Sequence, residues 1–363
     1  MTRHNNTVHT GNKGEWSEFY AFIKILTDGK VFTADKNLNI LASHFHLVLK
    51  IIRQEAIGTK TYDISKNDGS VVISENDSEI DIVELGQIKN SVADIFRQMK
   101  ETSGTTFEIP RALRAMRDLH CTQIKASSGK KVDLTIILHD KKSPEFPELG
   151  FSIKSMLGSP ASLLNASGAT NFIYRIVSEG THPMHEDGTL TVREVAKYAY
   201  GVGAQLEFIG MDNAVFRSNL RKIDSIFPEI VAQMLKHYYT GHATTIKDLT
   251  DKVAEDVAFM EKLDFTKDML VMNVKRFLSS IALGMMPSKE WNGYTEAHGG
   301  YVIVKENGDV VCYHLYNRDK FEDYLFFNTK FDTPSTTRHG FGHVYEEDGE
   351  QRMKLNLQIR FLK

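Results

Sequence analysis

The chain is 363 residues long, 41% hydrophobic and 25% charged, with 44 Lys+Arg against 47 Asp+Glu and a formal net charge of -3. That length supports a large hydrophobic core, as one extended domain or two of ordinary size, and the composition excludes a disordered chain. Near-balanced charge gives no support to nucleic-acid binding overall, so any such function rests on local fields.

The polar start Met1–Asn12 lacks the apolar stretch of a secretory signal, and no run approaches 18 apolar residues. A cytoplasmic protein with no membrane partner is expected. Cys121 and Cys312 lie far apart and match no metal-ligand spacing, which reads as a reducing compartment with two incidental thiols. Neither an internal repeat nor a low-complexity tract interrupts the chain.

After Gly11-Asn12-Lys13-Gly14, the spacing of Trp16, Phe19, Tyr20, Ile23 and Leu26 predicts a helix over 15–26, ended by Gly29. Leu41, Phe45, Leu49 and Ile52 form one stripe and predict a second helix over 38–56. Strands are expected at 71–74 and 79–83, and Val92, Ile95, Phe96 and Met99 give another helical stripe. Pro110 opens a basic helix whose Arg111, Arg114 and Arg117 share one side. The stretch Gly86–Lys142 holds 11 Lys+Arg and 6 Asp+Glu, a local net of +5. It suits a polyanion-binding cleft, or simply a solvated basic face.

Two alternating strands follow. Val132, Leu134, Ile136 and Leu138 alternate with Asp133, Thr135 and Ile137; Phe151, Ile153 and Ser155 alternate with Ser152, Lys154 and Met156. The polar turn between them favours a hairpin or neighbouring strands. Helices are expected to dominate 161–277, with segments at 171–177, 212–239 and 245–260 and a break over 201–206. Beyond Pro287 the chain becomes β-rich: 301–304 and 310–316 flank the turn Glu306-Asn307-Gly308-Asp309, and 355–362 alternates as a closing strand. The expected fold class is α/β (α+β), divided into 1–286 and a β-rich lobe 287–363 that is either separate or continuous with the core.

Asp133 and Lys154 are charges in otherwise apolar strands, and each needs solvent, a partner or a metal. Phosphodiester hydrolysis gives both a role. A carboxylate holds Mg²⁺ through hard oxygen ligands, while a lysine orients or deprotonates the attacking water and stabilises charge on the phosphate. A surface salt bridge on an exposed sheet edge would place the same two residues.

The segments Lys131-Val132-Asp133-Leu134 and Gly150-Phe151-Ser152-Ile153-Lys154-Ser155 resemble the PD-(D/E)xK nuclease signature in degenerate form. More closely, the chain resembles the HpaII family of type II restriction endonucleases, in Gly11–Tyr20 (GNKGEWSEFY), Gly150–Leu157 (GFSIKSML) and Leu163–Phe172 (LLNASGATNF). The similarity continues in His298–Gly300 (HGG), Tyr324–Lys330 (YLFFNTK) and Lys354–Phe361 (KLNLQIRF). This resemblance implies a restriction-endonuclease-like mixed β-sheet core flanked by helices, Mg²⁺ dependence, and cleavage of duplex DNA at the palindrome CCGG after its first C. It also implies a cognate DNA methyltransferase in the same restriction-modification system.

Asp133 corresponds to the signature's metal-binding aspartate and Lys154 to its lysine. The chain departs at Ser152, where the signature has Asp or Glu, and a hydroxyl is a poor substitute for a carboxylate on Mg²⁺. Either another acid completes the set, Glu18 first, then Glu15, one turn apart on the first helix, with Glu148 third, or the metal is held more by phosphate and water. Asp133, Lys154, Glu18 and Ser152 are thus the catalytic candidates, and Asp133, Glu18 and Glu15 the metal ligands. A solvated helix face is the plain alternative for the two helical glutamates. The glycines of GNKGEWSE would allow close approach of the backbone to DNA or metal. The Ser152 departure also leaves open a sequence-specific DNA-binding protein with weak or lost nuclease activity.

Reading CCGG calls for donors at guanine O6 and N7 and acceptors for cytosine N4. Arg338 and then Lys330 are the candidates for guanine, with His339 beside Arg338; Gln358 and Arg360 alternate with Ile359 and Phe361, so one face of the last strand could also meet DNA. Asn165 and Asn171, in the small-polar run that follows Lys154, together with Lys13, Arg114 and Lys130, complete the DNA-binding set, although helix caps and ordinary loops explain such residues equally well. His298, His314, His339 and His343 lack the spacing of a metal set. A palindrome is matched by a C2 homodimer reading one half-site per protomer, with sequential cutting by a monomer as the alternative.

Overall fold

A computed structural model describes residues 9–56, 58–66, 68–126, 132–139, 147–177, 191–201 and 203–363. The chain divides into two compact units, Met1–Ala161 with Glu296–Phe321 and Ser162–Thr295 with Glu322–Lys363. In chain order, the first passage gives α1 (Lys13–Asp28), β1 (Lys30–Ala34), β2 (Ile40–Gln54), β3 (Thr59–Asp63), β4 (Ser70–Glu75), β5 (Ser78–Glu84), α2 (Gly86–Glu101), α3 (Pro110–Asp118), β6 (Leu134–His139) and β7 (Glu148–Ser155). The second gives β8 (Ser162–Leu164), β9 (Asn171–Val177), α4 (Val192–Gly201), β10 (Gln205–Met211), α5 (Ala214–Arg221), α6 (Phe227–Thr240), α7 (Ile246–Glu255), α8 (Val257–Leu263) and α9 (Lys267–Leu283). The rest gives β11 (Gly300–Val304), β12 (Val310–His314), α10 (Arg318–Phe327), β13 (Thr329–Phe331), α11 (Thr336–His339), β14 (Val344–Glu347), β15 (Glu350–Asn356) and β16 (Ile359–Phe361). The mixed α/β class expected from the sequence is the class observed.

In the first unit a nine-stranded sheet runs β1-β12-β11-β7-β6-β2-β3-β4-β5, and β1 also pairs with β2. The strands from β1 round to β2 therefore close into a ring, from which β3, β4 and β5 extend as a meander. Helix α1 packs on it because its sequence buries most of its circumference, from Trp16 and Phe19 to Ile25 and Leu26. Asn12 caps its N-terminus in a reciprocal capping box with Glu15, and Gly29 ends it at φ 63°, a left-handed conformation natural to glycine. Closeness of β11 to β7 depends on the His298-Gly299-Gly300 turn. A Cβ on Gly299 would stand 2.7 Å from the Phe151 ring, and Gly300, at φ 116°, would bring one to 2.0 Å from the Tyr313 carbonyl oxygen.

Residues 40–54, expected as a helix, form the long strand β2. The stripe Leu41, Phe45, Leu49 and Ile52 is not its buried face: none of the four is buried, whereas Val48 and Ile51 are, on either side of a register shift between Val48 and Lys50 where the strand pairs with β6. The second unit holds a four-stranded sheet, β10-β9-β15-β14, and a three-stranded sheet, β13-β16-β8, with α4 to α9. Residues 171–177, also expected as a helix, are β9. Phe172 and Tyr174 are buried while Ile173 and Arg175 are less so, and the aromatic and β-branched residues suit an inner strand. The expected helix over 212–239 is two, broken before Phe227-Pro228, where proline takes an early helical position.

The compact units do not divide at 286/287. The hairpin of β11 and β12 belongs with the first unit's sheet, β11 lying parallel to β7 with Gly300 opposite Phe151, whereas 322–363 joins the second unit. Among the described residues no helix is long and apolar enough to cross a membrane.

Candidate functional site

Asp133 is the residue just before β6, and its backbone N–H donates to the Phe151 carbonyl at 2.9 Å. On β7, Ser152 and Lys154 are two residues apart and share a face of the strand. The Ser152 hydroxyl and the Ile153 N–H both donate to Asp133 Oδ2, at 3.0 and 2.8 Å. These bonds draw the carboxylate onto the strand that carries Lys154. Oδ1 of Asp133 accepts no hydrogen bond among the described residues. Serine in the place of an acid therefore has a structural meaning: it orients Asp133.

Helix α1 brings Glu18 to the same place. The helix is tied to β7 through the hydroxyls of Ser17 and Ser155, 2.8 Å apart. Glu18 Oε1 lies 3.5 Å from the ammonium of Lys125, and its Oε2 is buried without a hydrogen-bond partner among the described residues. Burial, reinforced by the negative charge of Asp133, pushes the Glu18 carboxyl up to about 7, against the opposing pull of Lys125 and Lys154. Burial also lowers the Lys154 ammonium from its ordinary value, although Asp133 and Glu18 act to raise it. Lys154 Nζ stands 5.6 Å from the centre of the buried Tyr301 ring, which shields it. Two carboxylates and two ammonium groups thus share one field, in which only the Lys125 end is well exposed.

Among the described residues no cluster of three or more His, Cys, Asp or Glu forms a metal cage. The pair nevertheless fits Mg²⁺, which keeps several waters and takes one or two carboxylates plus substrate phosphate oxygens. Glu18 Oε2 and Asp133 Oδ1 are the oxygens left for it, and an unpartnered buried carboxylate oxygen is costly unless a cation is to meet it. The other acids considered from the sequence are differently employed. Glu15 accepts from the Asn12 N–H at 2.8 Å to close the capping box. Glu148 is exposed at the start of β7, six residues or roughly 20 Å of extended strand before Lys154. Gly11 is buried and leaves room for the Ile124 side chain, whose Cδ1 would lie 3.0 Å from a Cβ there.

The DNA-binding candidates fall into three groups. Arg114, Asn165 and Arg338 are exposed, the first on α3 beside a cavity of about 370 Å³, the last on the short helix α11. Lys13 donates to the Lys100 carbonyl at 3.0 Å, Lys330 on β13 is half-buried opposite Arg360, and Lys130 lies outside the described residues. Asn171 and Gln358 are both buried. Asn171 donates to Asp212 and to the His339 carbonyl, each at 3.0 Å, and accepts from Asn356 at 2.6 Å, so its amide is spent within the fold. Asn356 also donates to the Ser167 carbonyl at 2.8 Å. Two motifs distant in sequence, around Thr170 and around Asn356, therefore make one buried polar network. His339 enters it only through its backbone, and its ring is half-buried. In the same unit a cavity of about 940 Å³ is lined by Thr333–Thr337 and Gly340–Glu346.

Sequence reasoning missed Lys125. It is one of 11 basic residues in the Gly86–Lys142 stretch and has no motif of its own; only the tertiary fold sets it beside Glu18.

No solved structure matches the chain. It is similar to the type II restriction enzyme HpaII of Haemophilus parainfluenzae, with 39% identity over 355 residues, covering 97% of this chain and 99% of that protein. Residues 12–361 match the HpaII restriction endonuclease family. A match spanning α1, the strands β6 and β7 and the C-terminal sheets is far more specific than a degenerate two-residue signature: the chain belongs to the HpaII restriction endonuclease family.

Proposed function

We propose that this enzyme hydrolyses both strands of duplex DNA at CCGG, after the first C, with Mg²⁺ as cofactor and 5′-phosphate and 3′-hydroxyl ends as products. The observation that carries the reading is the convergence of Glu18, Asp133 and Lys154, with a buried carboxylate oxygen left without a partner. Asp133 and Glu18 hold the cation, and Ser152 fixes the orientation of Asp133. When bound, Mg²⁺ polarises the scissile phosphate and acidifies the attacking water. Lys154, poised by burial to exchange its proton more readily than an exposed lysine, orients that water and stabilises the charge developing on the phosphate. A C2 homodimer would place one such site on each strand of the palindrome, and a methyltransferase of the same specificity would protect the host's own DNA.

Digestion of a defined plasmid with Mg²⁺, followed by mapping of the ends, tests activity, target and cut position together. Discrete fragments cut at C^CGG support the reading. Tight binding of a CCGG duplex with no cleavage in any divalent cation would instead support a DNA-binding protein that has lost its nuclease.

For recognition, the exposed Arg338 is assigned to guanine, with Lys13, Arg114, Asn165, Lys330 and the His339 ring as further DNA contacts. Arg338→Ala should lower discrimination between CCGG and a site changed at one base by roughly 10- to 100-fold, as expected for losing a bidentate contact. Competition binding at fixed salt reads this. An equal loss on all duplexes would mark a phosphate contact, and unchanged binding would remove Arg338 from the interface.

A further inference from the structure

Two residues outside the nuclease signature hold a third in the site. Arg53 and Glu55, at the end of β2 and just beyond it, are a fully buried ion pair with side chains 2% and 0% exposed, Nε to Oε1 3.1 Å. Such a pair is expensive to bury unless every polar atom is used, and here the unused atoms reach one segment. Arg53 Nη2 donates to the carbonyls of Gln123 and Ile124, at 2.9 and 3.2 Å. Glu55 Oε2 accepts from the Thr122 N–H at 2.9 Å and from its hydroxyl at 2.6 Å. The Arg53 guanidinium also lies over the Phe22 ring of α1, 4.8 Å from its centre. One buried cation therefore grips both the helix that carries Glu18 and the segment that ends in Lys125. The residue delivered by this clamp has a half-exposed side chain whose ammonium stands 3.5 Å from Glu18.

The charges suggest why. Glu18 and Asp133 are matched by Lys154 on the inner side and Lys125 on the open side, two acids to two bases. Lys154 is largely enclosed, whereas the Lys125 side chain is half-exposed to solvent. Resting on the assignment of Glu18 to the metal, we propose that Lys125 is an active-site residue: its ammonium is the counter-ion of Glu18 in the metal-free enzyme, yields that carboxylate to the divalent cation, and then meets the phosphate at the scissile step. The Arg53–Glu55 clamp makes the exchange local, because the backbone of Lys125 stays fixed while its flexible side chain moves.

The test compares wild type with Lys125→Met, Lys125→Arg and Glu18→Gln. Calorimetric titration of Ca²⁺ into the DNA-free protein reads the competition; single-turnover cleavage of a CCGG duplex at saturating Mg²⁺ reads the phosphate role. Lys125→Met should bind Ca²⁺ roughly three- to tenfold more tightly, since a competing charge is gone, and cleave roughly 10²-fold more slowly. Lys125→Arg should recover most of the rate. Ca²⁺ affinity that is unchanged or weaker in Lys125→Met, or wild-type cleavage at saturating Mg²⁺, overturns the proposal. Were Lys125→Met not to fold, a Lys125→Gln protein, longer in polar reach, carries the same two readouts. Glu18→Gln separates the two levels. If it loses Ca²⁺ binding and cleavage while Lys125→Met behaves as wild type, only the role of Lys125 fails; if it retains both, the metal assignment itself fails.

Discussion

Lys154→Ala is expected to cut DNA on the order of 10³-fold or more slowly than wild type at saturating Mg²⁺, while binding a CCGG duplex in Ca²⁺ within a few-fold of wild type. The asymmetry follows from where Lys154 sits. It lies on β7 in the field of Asp133 and Glu18, largely buried against Tyr301, so in the proposed mechanism it acts on the reacting phosphate and adds little to the field that DNA meets from outside. Single-turnover rates and mobility shifts measure the two quantities separately. A rate within tenfold of wild type would remove Lys154 from the chemistry. A parallel loss of binding would show that the substitution had damaged the fold, which a thermal melt checks.

The second large effect belongs to Glu18, and it depends on pH. Its carboxyl titrates near 7 in the folded, metal-free protein and at about 4.5 when exposed on unfolding. Between those values the folded state binds the extra proton, so stability falls as pH rises through that window. Below about pH 4.5 there is no penalty; above about pH 7 it is complete, on the order of 3 kcal/mol, with burial as the main cause. Glu18→Gln removes the charge. In EDTA at pH 8 it should be more stable than wild type by up to that amount, and the gap should close towards pH 4.5. Added Ca²⁺ or Mg²⁺ should reverse the order, because wild type recovers the cost by binding the ion and the amide cannot. Cleavage by the variant should fall roughly 10²- to 10³-fold. Thermal melts across pH with and without metal test this; equal stability of the two proteins in EDTA at pH 8 would contradict the strained state of Glu18.

Much of the site is written locally in the chain. The capping box of Asn12 and Glu15, the Gly29 stop and the buried stripe specify α1, and alternation specifies β6 and β7 with Asp133 and Lys154 close together. What escaped is what depends on contacts between distant segments. The apolar stripe of β2 from Leu41 to Ile52 has helical spacing, yet none of its four residues is buried; sheet pairing buries Val48 and Ile51 instead. Asn171 and Gln358 look like surface polar residues until Asn356, Asp212 and the neighbouring strands bury them. Lys125 acquires its partner only through a clamp anchored some 70 positions earlier in the sequence. The GNKGEWSE motif singles out Glu18 as a candidate, but its unpartnered oxygen is a property of the assembled interior that no motif carries.

The return of 296–321 to the first unit has a consequence for biosynthesis. β7 is complete once residue 155 has been made, yet the edge that β11 will cover stays open until residues 300–304 emerge. At ribosomal speeds of about 5–20 residues per second, that interval is roughly 7 to 30 seconds. An uncovered strand edge of this kind invites pairing with other chains. A nascent or truncated polypeptide ending anywhere in the interval also lacks β11 and β12, two members of the ring on which Lys154 is seated. The order of translation therefore leaves this edge to be covered only after residues 162–295 of the second unit have been made.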